Sequence, residues 1–346
     1  MKRFLFVTLI LLTIISLWSR NIALDSEIDI GFEYDSNVIR LSDDDQDEFL
    51  DSDNPDKYLI SSLDDMIMNM TYSLKLKHYF FAGHTQIDEF KLNFDKYLEN
   101  SVKDTGYLSY GIRQYFNSKL NMSLRYYFYP QIYVRQYHSV LDDGDEYHEF
   151  EYSKNYYTMN LNWDVQKHLD IKFELQYSQL FFNKWFTEYD ADILTSNIYL
   201  NWQPVSKFEL LCRYGWRISD TDAEDAFNDP SAIDVIKDAA YSSNIYALDL
   251  KFRKMPGKTT LNLGYKLETR FFDSEYEDDT YHYNRNDYIH VISTSLYKSL
   301  HKRLSLLAKA EYGFRNTESP APDVATDKEY NYWNAGITLS YDIKLR

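Results

Sequence analysis

The chain has 346 residues, of which 44% are hydrophobic and 26% are charged, and its formal net charge is −17. This acidic balance excludes nucleic acid as an expected partner, because binding to phosphates requires clusters of Lys and Arg. The single cysteine, Cys212, has no second cysteine to pair with, so no disulfide framework holds the fold.

The first element predicted along the chain is a secretion signal. Lys2 and Arg3 precede the run 4–18, which is apolar apart from three hydroxyl side chains. A basic start followed by a short apolar run predicts a cleaved signal peptide, because a membrane-spanning helix needs about 20 apolar residues. We expect 1–23 to be the signal peptide and 24–346 to be one barrel domain.

From Glu27 onward, apolar and polar residues alternate. In the final stretch the odd positions from Trp333 to Leu345 are apolar or aromatic, and the even positions between them are small or polar. A period of two is typical of a β-strand with one apolar face and one polar face. Fourteen strands are predicted near 27–41, 62–77, 81–94, 105–116, 120–138, 152–165, 170–187, 192–203, 206–219, 241–254, 258–274, 286–299, 302–316 and 329–346.

The predicted connections are alternately short and long, and 17% of the residues are aromatic. Both features are typical of a transmembrane antiparallel up-and-down β-barrel, whose strands cross the membrane between two aromatic belts. We therefore expect an all-β fold of about 14 strands in the bacterial outer membrane, with both termini in the periplasm. Twelve or 16 strands remain alternatives, because 81–94 and 286–299 alternate poorly. In 81–94 the change of phase between Ile87 and Phe90 indicates either a β-bulge or a strand that faces something other than lipid.

The polar strand faces are expected to line a lumen, because Arg or Lys facing the bilayer midplane costs about 2–4 kcal/mol. The candidate lumen or constriction residues are Arg125, Arg135, Arg213, Arg217, Arg253, Arg270, Arg315, Glu209, Glu268 and Glu311. Such residues either form ion pairs that stiffen the wall or select solutes by charge. Because the basic members are in excess, anionic or sugar-like solutes are the expected cargo.

One predicted strand adds aromatic side chains to this lumen. Tyr127, Tyr129, Tyr133 and Tyr137 share a face, with alternate residues about 7 Å apart. Beside arginines, such a track either guides oligosaccharides or simply fills space in a narrow barrel.

The first long loop is strongly acidic. Asp43, Asp44, Asp45 and Asp47 offer oxygen ligands of the kind that Ca²⁺ prefers, although the spacing of an EF-hand is absent. The simpler interpretation is a solvated acidic loop at the cell surface, next to lipopolysaccharide. The longest loop, Thr221 to Ala240, has near-helical apolar spacing and is expected to place a short helix at the mouth.

No enzyme activity is expected. None of the eight histidines lies in a motif for nucleophilic catalysis or zinc binding, and the chain has no P-loop or dinucleotide motif. We therefore expect no cofactor.

Residues 31–38 read Gly-Phe-Glu-Tyr-Asp-Ser-Asn-Val. This run resembles the opening strand of the barrel domain of surface lipoprotein assembly modifiers and of outer-membrane barrels encoded with exopolysaccharide export systems. Outer-membrane barrels usually end in an aromatic residue that the barrel-insertion machinery reads, whereas this sequence ends in Ile343-Lys344-Leu345-Arg346. We expect that machinery to be a partner, with recognition that is either relaxed or based on the strand pattern itself. The assembly modifiers carry a helical-repeat domain before the barrel, and none is expected here before Glu27.

Together these features predict a monomeric, porin-like channel for small polar solutes in outer-membrane lipid and lipopolysaccharide. The alternative is a non-conducting barrel that partners a secretion or polysaccharide-export system, or a surface anchor with ligand-binding loops.

Overall fold

The computed structural model describes residues 23–51, 55–80, 83–139, 146–221 and 238–344. Its strands are β1 (Ala23–Asp35), β2 (Asp65–Phe80), β3 (His84–Tyr97), β4 (Thr105–Tyr115), β5 (Leu120–His138), β6 (Tyr147–Gln166), β7 (Leu169–Phe182), β8 (Ala191–Val205), β9 (Phe208–Thr221), β10 (Tyr241–Met255), β11 (Thr259–Phe272), β12 (Asn286–His301), β13 (Leu304–Glu318) and β14 (Tyr330–Lys344). The helices are α1 (Asp43–Asp51), α2 (Pro322–Lys328) and three 3₁₀ turns, Pro55–Lys57, Ser101–Lys103 and Thr187–Tyr189. In the described part of the chain, no helix has the length and apolar character needed to cross a membrane.

The strands form one closed barrel. Each strand pairs antiparallel with its neighbours in sequence, and β1 also pairs with β14, from Asp25 opposite Lys344 to Asp35 opposite Asn334. Closure leaves no free sheet edge, so the ladders satisfy the backbone hydrogen bonds, as a strand surrounded by lipid requires. The predicted up-and-down barrel is confirmed with 14 strands, rather than 12 or 16.

The outer face of the barrel is apolar, as period-two alternation dictates. Large apolar side chains exposed on it include Ile30, Leu92, Leu124, Phe173, Leu263 and Ile337. Trp163 and Trp202 lie near one end of this band, and Tyr126, Tyr157 and Tyr177 form a ladder towards the other, with centroids 5.0 and 6.1 Å apart. An apolar band between aromatic belts is the surface of a transmembrane barrel.

The two ends of the barrel differ. The connections at the end that also holds Ala23 and Lys344 have two to four residues, whereas those at the opposite end have seven to 29. We call these the short-turn end and the long-loop end. The predicted alternation of short and long connections is confirmed.

The first strand is shorter than predicted. β1 ends at Asp35, not at residue 41, and the chain turns where Asp35 accepts a hydrogen bond from the N–H of Asn37 (3.1 Å). Arg40 then adopts a left-handed φ of 57°. Val38 continues the even-numbered apolar positions of the strand, but it is buried in the mouth of the barrel with Leu41 instead of facing lipid.

The predicted β-bulge between Ile87 and Phe90 is wrong. β3 keeps one continuous register with both β2 and β4. The alternation breaks because Asp88 lies on the outer face, where Oδ2 is 2.5 Å from Nε2 of His78 and Oδ1 accepts a 3.0 Å hydrogen bond from Tyr110. Mutual hydrogen bonding allows these polar groups to occupy outward positions.

Candidate functional site: a cationic vestibule at the long-loop end

Residues 36–51 and 55–64 of the connection between β1 and β2 fold into the mouth at the long-loop end, and we call them the mouth segment. It forms a buried cluster with one residue of β5, made of Val38, Ile39, Leu41, Tyr58, Ile60 and Tyr133. Leu41 is fully buried. The mouth segment is therefore a packed part of the fold and not a solvated loop.

Arg135 of β5 holds the mouth segment from the barrel wall. Its guanidinium donates to the carbonyl oxygens of Ile39 (3.1 Å) and Arg40 (3.0 Å), and it lies 3.5 Å from the carboxylate of Asp45 in α1. Burial alone would raise the pKa of Asp45, but a 2.8 Å hydrogen bond from Lys57 and the charge of Arg135 hold it below its usual value. The inward side of α1 is thus anchored by a charged network.

The four aspartates considered as calcium ligands do not come together. Asp45 points inward to Lys57 and Arg135, whereas Asp43, Asp44 and Asp47 are exposed. Among the described residues, no group of three or more His, Cys, Asp or Glu side chains is placed to hold a metal ion. The predicted helix within Thr221 to Ala240 lies largely outside the described residues.

A cavity of about 680 Å³ lies between the mouth segment and the ends of the strands, and we call it the vestibule. Seven cationic side chains line it: Arg40, Lys103, Arg135, Arg270, Arg285, Arg315 and Lys328. Among the described residues that line the vestibule, Glu188 is the one carboxylate. The vestibule is therefore a positive compartment inside a chain of net charge −17.

Each of these seven cations lies over an aromatic ring. The distances to the ring centroids are 3.7 Å for Arg40 over Tyr332, 5.9 Å for Lys103 over Tyr133, 5.7 Å for Arg135 over Tyr137, 4.4 Å for Arg270 over Tyr241, 3.7 Å for Arg285 over Phe272, 4.5 Å for Arg315 over Tyr330 and 4.8 Å for Lys328 over Tyr281. A ring face stabilises a cation by about 0.5–2 kcal/mol without neutralising it. Carboxylates next to the vestibule offset part of the positive charge, since Arg40 lies 2.8 Å from Asp35 and Arg135 lies 3.5 Å from Asp45.

One carboxylate serves two arginines on the wall formed by β9 and β11. Glu268 lies 2.8 Å from Arg217 and 3.1 Å from Arg270. The group of three keeps one net positive charge. Nε of Arg270 is buried and has no hydrogen-bond acceptor among the described residues, so one donor of the group is unused.

A second shared carboxylate follows on β12. Asp287 is fully buried and lies 3.4 Å from Arg285 and 3.8 Å from Arg315. Burial lowers the pKa of Arg285 to about 10, because Asp287 compensates only part of the desolvation of the guanidinium. Arg315 also donates to the backbone carbonyl of Lys328, which joins α2 to the wall.

Two lysines enter the vestibule from the long connections. Among the ion pairs of the described residues, neither Lys103 nor Lys328 has a carboxylate partner. Nζ of Lys103 donates to the carbonyl oxygen of Tyr133 (2.9 Å), and burial together with the charge of Arg40 lowers its pKa to about 8. Burial likewise lowers the pKa of Lys328.

The lowered pKa of Lys103 predicts that anion selectivity depends on pH. Because its pKa is lowered to about 8, the ammonium is charged below that pH and loses its proton above it. Anion selectivity, measured as the zero-current potential across a salt gradient, should therefore decrease as pH rises through about 8. Lys103→Gln should remove this step, whereas Lys184→Gln, an exposed site at the same end, should keep it. A wild-type potential that stays constant over this range would contradict the assignment.

The four tyrosines of the predicted aromatic track form two groups. In the middle of the barrel, Tyr127 and Tyr129 cluster with Tyr107 and Tyr156, with centroid distances of 5.2 to 5.5 Å to these two rings. Lys154 lies 4.9 Å from the ring of Tyr156. Arg125 lies 5.8 Å from the ring of Tyr127, so this mid-lumen cluster combines aromatic faces with two cations.

Two register shifts in β5 beyond Tyr129 separate the groups. The first lies beside Pro130, which has no N–H to donate to a ladder. Beyond the shifts, Tyr133 joins the buried cluster of the mouth segment, and Tyr137 packs edge-on against Phe150 at 5.2 Å. Both tyrosines therefore line the vestibule.

Arg135, Arg270 and Arg315 are the predicted lumen residues that the structure brings together in the vestibule. Other predicted lumen residues contact neighbours on the barrel wall. Ion pairs join Arg125 to Glu89 and Arg253 to Glu209, and Glu209 also lies 4.0 Å from Lys251. Hydrogen bonds join Arg213 to Asn197 at 3.0 Å and Tyr332 to Glu311 at 2.7 Å. Below the vestibule, ion pairs and hydrogen bonds thus stiffen the barrel.

Sequence reasoning missed four cations of the vestibule, Arg40, Lys103, Arg285 and Lys328. All four lie in long connections, where no strand periodicity assigns a side chain to a face. A usable signal was present, because each is a basic residue within an acidic, aromatic-rich stretch, as around Tyr281 and Arg285.

No protein-family model and no curated protein matches this chain. Among solved structures, it is similar to an anion-selective porin from Comamonas acidovorans (TM-score 0.47, 9% identity, 93% of this chain and 99% of that chain). It is also similar to the CymD monoaromatic hydrocarbon channel (TM-score 0.49, 5% identity, 93% and 89%). A third is the outer membrane channel DcaP of Acinetobacter baumannii (TM-score 0.47, 10% identity, 93% and 97%). These three similarities concern the architecture of the barrel alone.

Proposed function

We propose that the protein is an anion-selective channel for small polar solutes, with its passage restricted by the mouth segment. The vestibule carries this proposal, since seven cationic side chains and one carboxylate line it. In a low-dielectric pore, such an excess of positive charge lowers the barrier for anions and raises it for cations. Buried carboxylates offset part of this charge, but the arginine groups on Glu268 and on Asp287 each keep one net positive charge. The aromatic rings under the cations add no negative charge.

Uptake into proteoliposomes tests the proposal. Acetate and methylammonium are of similar size and opposite charge, so charge selection should admit acetate faster. Equal rates, or faster passage of methylammonium, would contradict an anion-selective lumen.

We further propose that the barrel resides as a monomer in the outer membrane, with lipopolysaccharide around its long-loop end and with the barrel-insertion machinery as its assembly partner. The apolar band and the exposed acidic side of α1 support this orientation. A tag inserted after Asp51 should be reached by antibody on intact cells, and one inserted at Pro256 in a short turn should not. The reverse pattern would invert the topology.

A second candidate function is a non-conducting barrel that partners a secretion or polysaccharide-export system, or that displays loops for binding. The mouth segment favours it, because Val38, Ile39 and Leu41 are packed in the mouth as in a protein core. Solutes that enter proteoliposomes no faster than without protein, although the barrel is folded, would support this candidate over the channel.

A further inference from the structure

The vestibule has two chemically different sides. On one side, arginines and lysines lie over tyrosine and phenylalanine rings, as described above. On the other, Phe150 packs against Phe182, Phe186 and Tyr189, with centroid distances of 4.6, 4.9 and 5.0 Å. Among the described residues, no cation lies over Phe150, Phe186 or Tyr189, so this side offers mainly ring surface, beside the single lining carboxylate, Glu188.

The cationic side keeps more guanidinium groups than carboxylates. Glu268 is shared by Arg217 and Arg270, and Asp287 is shared by Arg285 and Arg315, so each group keeps one net positive charge. An anionic solute in the vestibule would balance this excess. A carboxylate suits guanidinium donors best, because its two oxygens match their geometry and charge.

His282 stands between the two sides. Its ring lies 5.5 Å from Phe272 and 6.4 Å from Tyr189, and it lines the vestibule. Nδ1 is held by the buried carboxylate of Asp279 at 2.9 Å, which fixes the ring and leaves Nε2 for a solute. A polar atom next to the carboxylate of the solute would meet this nitrogen.

We propose that the vestibule binds a carboxylate attached to a planar apolar ring, that is, an aromatic carboxylate. The carboxylate lies among Arg135, Arg270 and Arg285, and the ring lies against Phe150 and Tyr189. A volume of about 680 Å³ suits a small organic solute. This inference names the solute class of the proposed channel and rests on that function for the route by which the solute arrives.

Competing classes fit the two sides less well. A short aliphatic carboxylate such as acetate would leave the aromatic side uncovered. A sugar acid would set its hydroxyl groups against the carbon rings of Phe150 and Phe186, where they find no hydrogen-bond partner. An uncharged aromatic alcohol would leave the guanidinium donors without an anion.

Calorimetry on the purified, detergent-solubilised full chain tests the assignment with benzoate, acetate, glucuronate and benzyl alcohol at one pH and ionic strength. Benzoate should bind about tenfold more tightly than each of the others. Arg285→Gln and Phe150→Leu should each weaken benzoate binding. Arg253→Gln, which removes the same charge at the short-turn end, should leave it unchanged.

Slower migration of boiled than of unboiled samples on a denaturing gel verifies that each variant is folded. Equal affinities for benzoate and acetate would overturn the aromatic part of the proposal, tightest binding of glucuronate would replace it with a sugar acid, and unchanged binding by Arg285→Gln would overturn the site. Benzoate binding by a barrel that does not conduct would leave this site standing and overturn the proposed channel. Anion conductance without preference for benzoate would overturn this inference alone.

Discussion

Removing the mouth segment should raise the single-channel conductance severalfold. The chain offers a direct way to do so, because Asp35 and Asp65 are paired opposite each other at the ends of β1 and β2. A short Gly-Ser turn can therefore replace residues 37–63 without moving either strand. The expected gain follows from the loss of Val38, Ile39 and Leu41 from the mouth, where they form a packed cluster.

A point variant tests the anchor of the mouth segment without removing the segment itself. Arg135→Gln removes the contacts to the carbonyl oxygens of Ile39 and Arg40 and to Asp45, so it should produce a smaller rise, with more frequent opening. Asp44→Asn, on the exposed side of α1, should behave like wild type. An unchanged conductance in the folded deletion variant would show that the mouth segment does not limit passage.

The second large effect concerns selectivity. The double variant Arg270→Gln/Arg315→Gln should shift the zero-current potential close to zero, because it removes two of the cations that line the vestibule. The design keeps both buried carboxylates paired, since Glu268 retains Arg217 and Asp287 retains Arg285. It thus avoids the cost of about 3–5 kcal/mol that an orphaned buried charge imposes.

The matched control is Arg125→Gln/Arg253→Gln. It removes the same charge below the vestibule, and its carboxylates also keep a cation, Glu89 with Lys75 at 3.6 Å and Glu209 with Lys251 at 4.0 Å. The control should retain most of the wild-type anion preference. If the two double variants shift the potential equally, the selectivity belongs to the whole lumen and not to the vestibule.

The barrel itself was predictable, because period two and the alternation of short and long connections are local properties of the sequence. They place Arg135, Arg270 and Arg315 on the inner face and predict about 14 strands, with 12 or 16 as alternatives, and the barrel has 14. What they could not predict is where a strand ends when its apolar pattern continues. Val38 continues the even-numbered apolar positions of β1, yet it is buried in a cluster with Tyr133 of β5, about 95 residues further along the chain.

The vestibule was predictable only in part for the same reason. Alternation predicts which face of the sheet a side chain occupies, but not where it lies along the barrel axis. The register shifts in β5 separate Tyr133 and Tyr137 from Tyr127. Lys103 and Arg285 lie in connections without periodicity, and their role depends on which rings and strands the folded connection meets. Outward polar residues such as Asp88 break the pattern wherever they bind one another on the outer face.

The most direct test of an anion-selective lumen is a single-channel recording of the wild-type mature chain in a planar bilayer across a KCl gradient. We expect discrete steps of small conductance, a zero-current potential that reports preference for chloride, and a reduction of the current by benzoate. Preference for potassium, or silence from barrel shown to be folded by its gel migration, would contradict this expectation.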